Sequence, residues 1–356
     1  MNAPSFAMMT CAVGAEIPLK SEVAASGWRL AFSRPGFVTA KNDQPNCPLP
    51  TGTFVRTASH SIGHVKGQDG VQLAAQLKNL LAEKHPDRVF DQLHLWPRDR
   101  LPIGKFGFEP EIDEVSKLVA DQVLETLSGN ALQCQSANQV ADPGTAVLDI
   151  VLVDPNDWFI GWHVAGRSAS QEETMHWPSR WPGGIQPVDP HYEPISRAYF
   201  KAAEAMAWSG FPFQRDDLAV EVGSAPGGAC GRLLEEGLRV IGIDPAEMDP
   251  RIAGHPKFTH HRARAGDLPR RTFRDVKWLL ADSNVKPEKT LTTIHHIVTH
   301  RDCSIEGMLL TLKLGNYNTA EHLPKWLQTI QQWKPKQVRV RQLARNRCEV
   351  CCAIRL

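Results

Sequence analysis

Residues 220–232 read V-E-V-G-S-A-P-G-G-A-C-G-R, an apolar run with a carboxylate, a turn of small residues and the start of a helix. A glycine-rich turn between strand and helix lets a ligand come close to the backbone at the helix N-terminus. Glu221, Gly223, Ser224, Ala225, Pro226, Gly227 and Gly228 are therefore candidate ligand contacts. Asp244 closes the next apolar run about 20 residues later, where an acidic side chain suits a ribose diol. Asp267, in Ala265-Gly266-Asp267, could supply a third contact, and Asp282 ends a further apolar run. The turn is not G-x-G-x-x-G and lacks the Lys-Ser/Thr of a P-loop, which argues against a nicotinamide oxidoreductase and a P-loop NTPase. Taken alone, it also reads as an ordinary tight turn in an α/β sheet.

Such positions need a sheet to hold them. Residues 218–222, 239–243 and 276–281 read as buried strands, and 229–236 as a helix stopped by Gly237. Residues 195–207 form a predicted helix just before the first strand. Residues 337–343 and 349–355 would close the sheet as an antiparallel hairpin. The expected fold class is α/β, with a seven-stranded Rossmann-like sheet over residues 193–356.

V-E-V-G-S-A-P-G-G resembles the S-adenosylmethionine loop of the FtsJ-like RNA 2′-O-methyltransferases. The resemblance implies a class I methyltransferase sheet, S-adenosyl-L-methionine as cofactor and a catalytic Lys-Asp-Lys-Glu tetrad. Residues matching the tetrad occur in order: Lys201 in S-R-A-Y-F-K, Asp282 in L-L-A-D-S-N, Lys313 in L-L-T-L-K-L-G and Glu349 in N-R-C-E-V-C-C-A-I. A lone lysine in a strand is usually a sheet-end charge, and a lone glutamate a surface carboxylate. The ordered set beside the glycine turn is what favours catalysis.

The chemistry those residues would perform follows from the acceptor. A ribose 2′-hydroxyl is a poor nucleophile and must lose its proton as it attacks a sulfonium methyl. A lysine has a reference pKa of about 10.4, so it acts as a base only where burial or a nearby cation lowers that value. Lys313 is the expected base, with Lys201 as the neighbouring cation. Asp282 would orient Lys313 and the hydroxyl, and Glu349 would hold Lys201. The two carboxylates oppose the lowering, so the balance stays open at this stage. No metal is expected, and alignment of the reactants would supply much of the rate.

The first half reads differently. Residues 6–13, 16–26, 28–33 and 36–40 give a β-α-β-β order that suits a ferredoxin-like region over residues 1–55. Residues 42–52 read as a Pro/Asn/Gly-rich loop. Residues 71–83 and 111–127 read as helices, and 90–96, 146–153 and 158–164 as strands. That order resembles a THUMP domain over residues 56–166, a module of RNA-modifying enzymes; a plain α+β interaction domain is the other reading. Residues 167–192 form a Pro/Trp-rich connector whose Trp177 and Trp181 would pack on the next domain or, failing that, stack on a base.

The 356 residues, 42% of them hydrophobic, suit two or three domains with sizeable cores. No apolar run reaches the roughly 20 residues of a membrane span, and residues 6–13 read as a strand, not a signal peptide. Eight cysteines without paired metal spacing suit a reduced, cytoplasmic protein. Net charge is only +1, yet residues 257–356 hold 19 Lys/Arg against 8 Asp/Glu. Arginines 262, 264, 270, 271 and 274, and then 339, 341, 345, 347 and 355, suggest a basic face for phosphates.

The order of regions, together with S-R-x-x-x-K, the loop, the tetrad and Asp282-x-x-x-Lys286-Pro287, resembles the RlmM family of large-subunit rRNA (cytidine-2′-O)-methyltransferases. That resemblance implies RNA, specifically 23S-type rRNA, as partner. Ala229-Cys230-Gly231 departs from the family by replacing the aromatic residue common after the loop. Transfer RNA or cap methylation, and non-catalytic RNA binding on the same fold, are the alternatives. Oligomeric state is not legible in the sequence.

Overall fold

A computed structural model describes residues 4–166 and 177–356, without the side chains of Trp177 and Pro178. The chain forms two compact units, Met1–Pro187 and Val188–Leu356.

The first unit contains β1 (Ser5–Thr10), α1 (Glu16–Ala25), β2 (Arg29–Arg34), β3 (Phe37–Asn42), β4 (Thr57–Lys66), α2 (Gly70–Lys84), β5 (Gln92–Pro97), α3 (Glu114–Leu127), β6 (Ala146–Asp154), β7 (Asp157–Val164) and the single turn α4 (Trp177–Arg180). Asp69 and Asp113 cap α2 and α3 through backbone N–H groups three residues on. The strands form one sheet in the order β2-β3-β1-β4-β7-β6-β5. β6 is apolar almost throughout because both its faces are covered. Leu148, Ile150 and Leu152 join a core with Leu73 and Leu77 of α2 and Val119 and Val123 of α3, while Val151 and Val153 meet Met8, Phe37 and Trp96.

β4 has no counterpart in the sequence reading. It pairs with β1 on one side and β7 on the other, so a single sheet runs through residues on both sides of position 55. T-A-S-H-S-I-G-H-V-K lacks the apolar alternation that marks a half-buried strand. Its polar positions are satisfied by tertiary partners: buried Ser59 donates to Asp149 Oδ2 at 2.6 Å, which also meets His163 Nδ1 at 2.5 Å. Trp181 is buried, and the Pro182–Gly184 turn beyond it lies against Trp96, so Trp181 is not free to stack on a base. The side chain of Trp177 and residues 167–176 of the connector lie outside the described residues.

The second unit contains α5 (Ala198–Ser209), β8 (Leu218–Val222), α6 (Gly228–Glu235), β9 (Arg239–Ile243), the short α7 (Pro250–Ala253), β10 (Phe258–His261), β11 (Trp278–Ala281), α8 (Pro287–Val298), β12 (Gly307–Lys313), α9 (Leu323–Gln331), β13 (Gln337–Arg341) and β14 (Glu349–Arg355). Its seven strands run β10-β9-β8-β11-β12-β14-β13. The first five pair in parallel, and β14 enters antiparallel between β12 and β13. This is the Rossmann-like α/β sheet with a closing hairpin expected for a class I methyltransferase fold. The order reverses between β8 and β11, which opens a crevice at their C-terminal ends where ligands of such sheets bind. His260 and His261 lie on β10. Among the described residues, no helix is long and apolar enough to cross a membrane.

Candidate active site

The turn after β8 is shaped by close approach. Gly223 has φ +85°, and a Cβ there would lie 2.8 Å from Ser283 Cα on the segment that follows β11. Only glycine meets both conditions without strain. Gly228 opens α6, where a Cβ would run into Ser196 and the backbone N–H of Tyr199, so the entry to α5 seats directly on the turn.

The carboxylates predicted around that turn divide by environment. Asp244 Oδ2 accepts from Ala225 N at 3.3 Å and its Oδ1 from Ala246 N at 2.8 Å, which fixes the carboxylate over the loop. Asp267 is exposed on the turn Ala265–Asp267 beyond β10. Glu221 is fully buried below the turn, where Cys230 Sγ donates to its Oε2 at 2.9 Å. Burial pushes the Glu221 carboxyl up to about 8; the Cys230 hydrogen bond works against the rise and Asp282 adds to it. Cys230, standing where an aromatic residue was expected, is thus the partner of that buried acid.

Lys201, Asp282, Lys313 and Glu349 meet in one ring of alternating charge. Lys201 Nζ lies 2.5 Å from Asp282 Oδ2 and 2.6 Å from Glu349 Oε1. Lys313 Nζ lies 2.8 Å from Asp282 Oδ1 and 2.5 Å from Glu349 Oε2. Each lysine bridges both carboxylates, and each carboxylate bridges both lysines. Glu349 therefore contacts Lys313 as well as the Lys201 it was expected to hold.

Local structure explains the convergence. Lys313 and Glu349 are direct partners in the antiparallel β12–β14 register, so backbone pairing alone brings them side by side. Asp282 N donates to Val222 O, which extends β11 beside β8 and holds Asp282 next to the glycine turn. Lys201 projects from α5, which lies on β12 and β14.

Lys201 and Glu349 are nearly inaccessible, whereas the Lys313 side chain keeps 27% of its exposure. Lys313 is the ring member most open to a substrate.

The ring's ionisation follows from its packing. For Lys313, burial is the largest influence and lowers the pKa, but Asp282 and Glu349 together outweigh it and leave the value raised. Burial raises Asp282, and the lysines reverse this, holding it below the ordinary carboxylate range. Glu349 is likewise held low: burial raises it, Lys201 and then Lys313 lower it, and Asp282 opposes them. The resting ring thus contains an ammonium at Lys313 and two carboxylates. In the resting site the carboxylates thus outweigh burial at Lys313.

Against Lys201 and Asp282 is a cavity of about 30 Å³, with room for a water or two, lined also by Glu221, Thr311, Asn346 and Cys351. Thr311 and Asn346 went unnoticed in the sequence. Thr311 sits two residues before Lys313 on the same strand face, a period-two signal that would have found it. Asn346 offers no such signal; it is buried and its Oδ1 accepts from Leu343 N, bracing the turn before β14.

The groups at the turn fit an adenosyl cofactor. Gly223 lets the turn pack directly against Ser283 at the β11 end, and Asp244 presents fixed oxygens at the β9 end. The basic residues are less uniform than their count suggested. Arg339 is held over Trp208, Arg345 over Phe200 and Arg355 against Phe211 and Trp278, while Arg341 is buried. Arg264, Arg271, Arg274 and Arg347 are exposed.

No family model matches the chain. The chain is similar to the ribosomal RNA large subunit methyltransferase M of Laribacter hongkongensis, 33% identical over 117 residues, which covers 31% of this chain and 33% of that protein. It is also similar to the protein of the same name from Pseudomonas fluorescens, 26% identical over 311 residues, covering 76% of this chain and 81% of that one. The first matched relatives are spanned over about a third of their length. Among solved structures, TrmN from Thermus thermophilus has a TM-score of 0.35 at 13% identity, covering 99% of this chain and 100% of that one. A likeness that distant carries no argument about activity.

Proposed function

We propose that the chain is an S-adenosylmethionine-dependent RNA 2′-O-methyltransferase, with large-subunit ribosomal RNA as substrate and a cytidine as acceptor. The observation that carries this reading is the closed Lys201-Asp282-Lys313-Glu349 ring beside the glycine turn. Such a ring fits proton transfer at a hydroxyl held next to a nucleotide-like cofactor. The name of the matched relatives supports the class of RNA. The RlmM-like motifs support the cytidine, and the eight free cysteines suit a cytoplasmic setting.

The 223–228 turn, Asp244 and Asp267 would hold S-adenosylmethionine, which when bound supplies an electrophilic methyl group, while Glu221, buried against Cys230, supports the turn from below. Lys313 acts on the ribose 2′-hydroxyl as general base. Its resting proton is retained by the two carboxylates, and burial opposes it. A hydroxyl entering between Lys313 and Asp282 weakens that ion pair and lowers the lysine pKa. The ammonium gives its proton to solvent, to which its side chain is partly open, and the neutral amine then takes the hydroxyl proton. Lys201 stays between Asp282 and Glu349 as the fixed cation of the ring. Asp282 holds Lys313 Nζ toward the hydroxyl, whose single proton passes to the amine.

The test is methyl transfer from labelled S-adenosylmethionine to unmodified ribosomal RNA, followed by nucleoside analysis. The wild-type chain is expected to yield 2′-O-methylcytidine. Lys313→Ala should lower kcat by about 10²- to 10⁴-fold while cofactor binding persists. Absence of S-adenosylmethionine binding by the folded wild-type chain would sink the proposal.

A further inference from the structure

An aromatic side chain in the first unit is presented to solvent at a conformational cost. Phe106 is 88% exposed, the highest value among the exposed large hydrophobic residues described. Its backbone stands at φ 52°, ψ 32°, the left-handed region that bulky residues rarely occupy. Burial of the ring cannot explain the conformation, because the ring is not buried.

The loop that carries Phe106 is closed upon itself. Lys105 N donates to Pro102 O at 2.9 Å, Phe108 N to Lys105 O at 3.0 Å and Gly104 N to Phe108 O at 2.6 Å. Gly104 and Gly107, on either side, also have positive φ. The base of the loop is clamped by a buried bidentate pair, Arg56 Nη1 and Nη2 to Asp99 Oδ1 and Oδ2 at 2.7 and 2.6 Å. Arg98 ties the same base to the β2–β3 turn, with Nη1 donating to Pro35 O at 3.0 Å and Nε to Val153 O at 2.6 Å.

The charge next to the ring is positive. Arg100 and Lys105 precede Phe106, with Lys105 Nζ 5.4 Å from its ring centroid, and the first carboxylate after it, Glu109, is only partly exposed and is engaged elsewhere. The β2–β3 turn adds Arg34, whose guanidinium lies 5.5 Å from the Phe32 ring. Arg34, Arg100 and Lys105 are exposed. Among the described residues, none of the three has a carboxylate at ion-pair distance; the nearby Asp99 and Asp154 are engaged by Arg56 and Arg98. An exposed π-face set among unneutralised cations suits an unpaired nucleobase between phosphates better than an apolar protein surface.

We infer that Phe106 is a stacking platform for an unpaired RNA base, with Lys105, Arg100 and Arg34 taking the flanking phosphates. The inference rests on RNA being the substrate, and it adds a contact site in the first unit. The test measures binding of the full chain to unmodified ribosomal RNA and to a short single-stranded oligoribonucleotide, each at several salt concentrations. Phe106→Ala and Phe106→Leu should weaken binding about 5- to 100-fold, and Phe106→Trp should retain it. All three should keep the wild-type unfolding midpoint. Replacing Arg100 and Lys105 by alanine should reduce the log–log salt slope by about one per cation. Undiminished binding by Phe106→Ala would overturn the platform. So would retention by Phe106→Leu with loss in Phe106→Ala, because that pattern marks an apolar protein contact. If the wild-type chain binds neither RNA, the RNA reading itself fails, and the platform with it.

Discussion

Lys313 changes its chemical meaning with its neighbours. Beside Asp282 and Glu349 it is an ammonium with a raised pKa, and burial alone would push it the other way. The rate should therefore rise with pH on an alkaline limb as Lys313 gives up its proton. Glu349→Gln removes one of the two negative charges that favour the ammonium. The Lys313 pKa should then fall, and the limb of kcat/KM should move toward lower pH, by about one unit or more if the pair is as close as the geometry indicates. A pH–rate profile of the variant beside the wild type checks this; an unmoved limb would assign it to another group. The same substitution leaves Lys201 with Asp282 alone, so some loss of stability is expected alongside the shift.

Among the elements, the turn after β8 is the most demanding. Gly223 combines a left-handed backbone with a Cβ position 2.8 Å from Ser283 Cα. Gly223→Ala should cost about 2 kcal/mol or more, from roughly 1–2 kcal/mol of left-handed strain plus the contact with the β11 segment. Because Asp282 precedes Ser283, the displacement also reaches the ring. Thermal unfolding and calorimetric titration with S-adenosylmethionine should show a lower midpoint and weaker binding together. Normal binding in a destabilised variant would separate the turn from the cofactor site. The element scale also shows where pattern reading stops: β4 was illegible because its buried Ser59 is satisfied by Asp149, ninety residues away in the chain.

For the whole molecule, the two units suggest a division of labour. The second unit contains the ring, the turn and the Rossmann-like sheet, and the first contains the Phe106 loop. Residues 188–356 expressed alone should bind S-adenosylmethionine with an affinity near that of the full chain. Their affinity for ribosomal RNA should be lower by at least the Phe106 contribution, about 5- to 100-fold. Titrations of both chains with both ligands test this, and equal RNA affinity would remove the first unit from recognition.

The sequence by itself determined most strands of the second sheet, which are written in short-range signals. The four members of the ring were legible only as a match to the FtsJ-like pattern, because singly Lys201, Lys313 and Glu349 carry no signal. Buried parallel strands are continuous apolar runs, and the glycine turn is demanded within a few residues of itself. Lys313 and Glu349 lie on such strands, and their pairing follows from register. Only the tertiary structure decided how charge settles among them. Whether Lys313 is a base or an ammonium depends on ion pairs with residues 31 and 36 positions away, offset against burial. It likewise decided that several arginines of the basic C-terminal stretch are spent on aromatic rings inside the unit. A charge in the sequence records only its sign; its partner, its desolvation and hence its protonation are set by groups that meet only on folding.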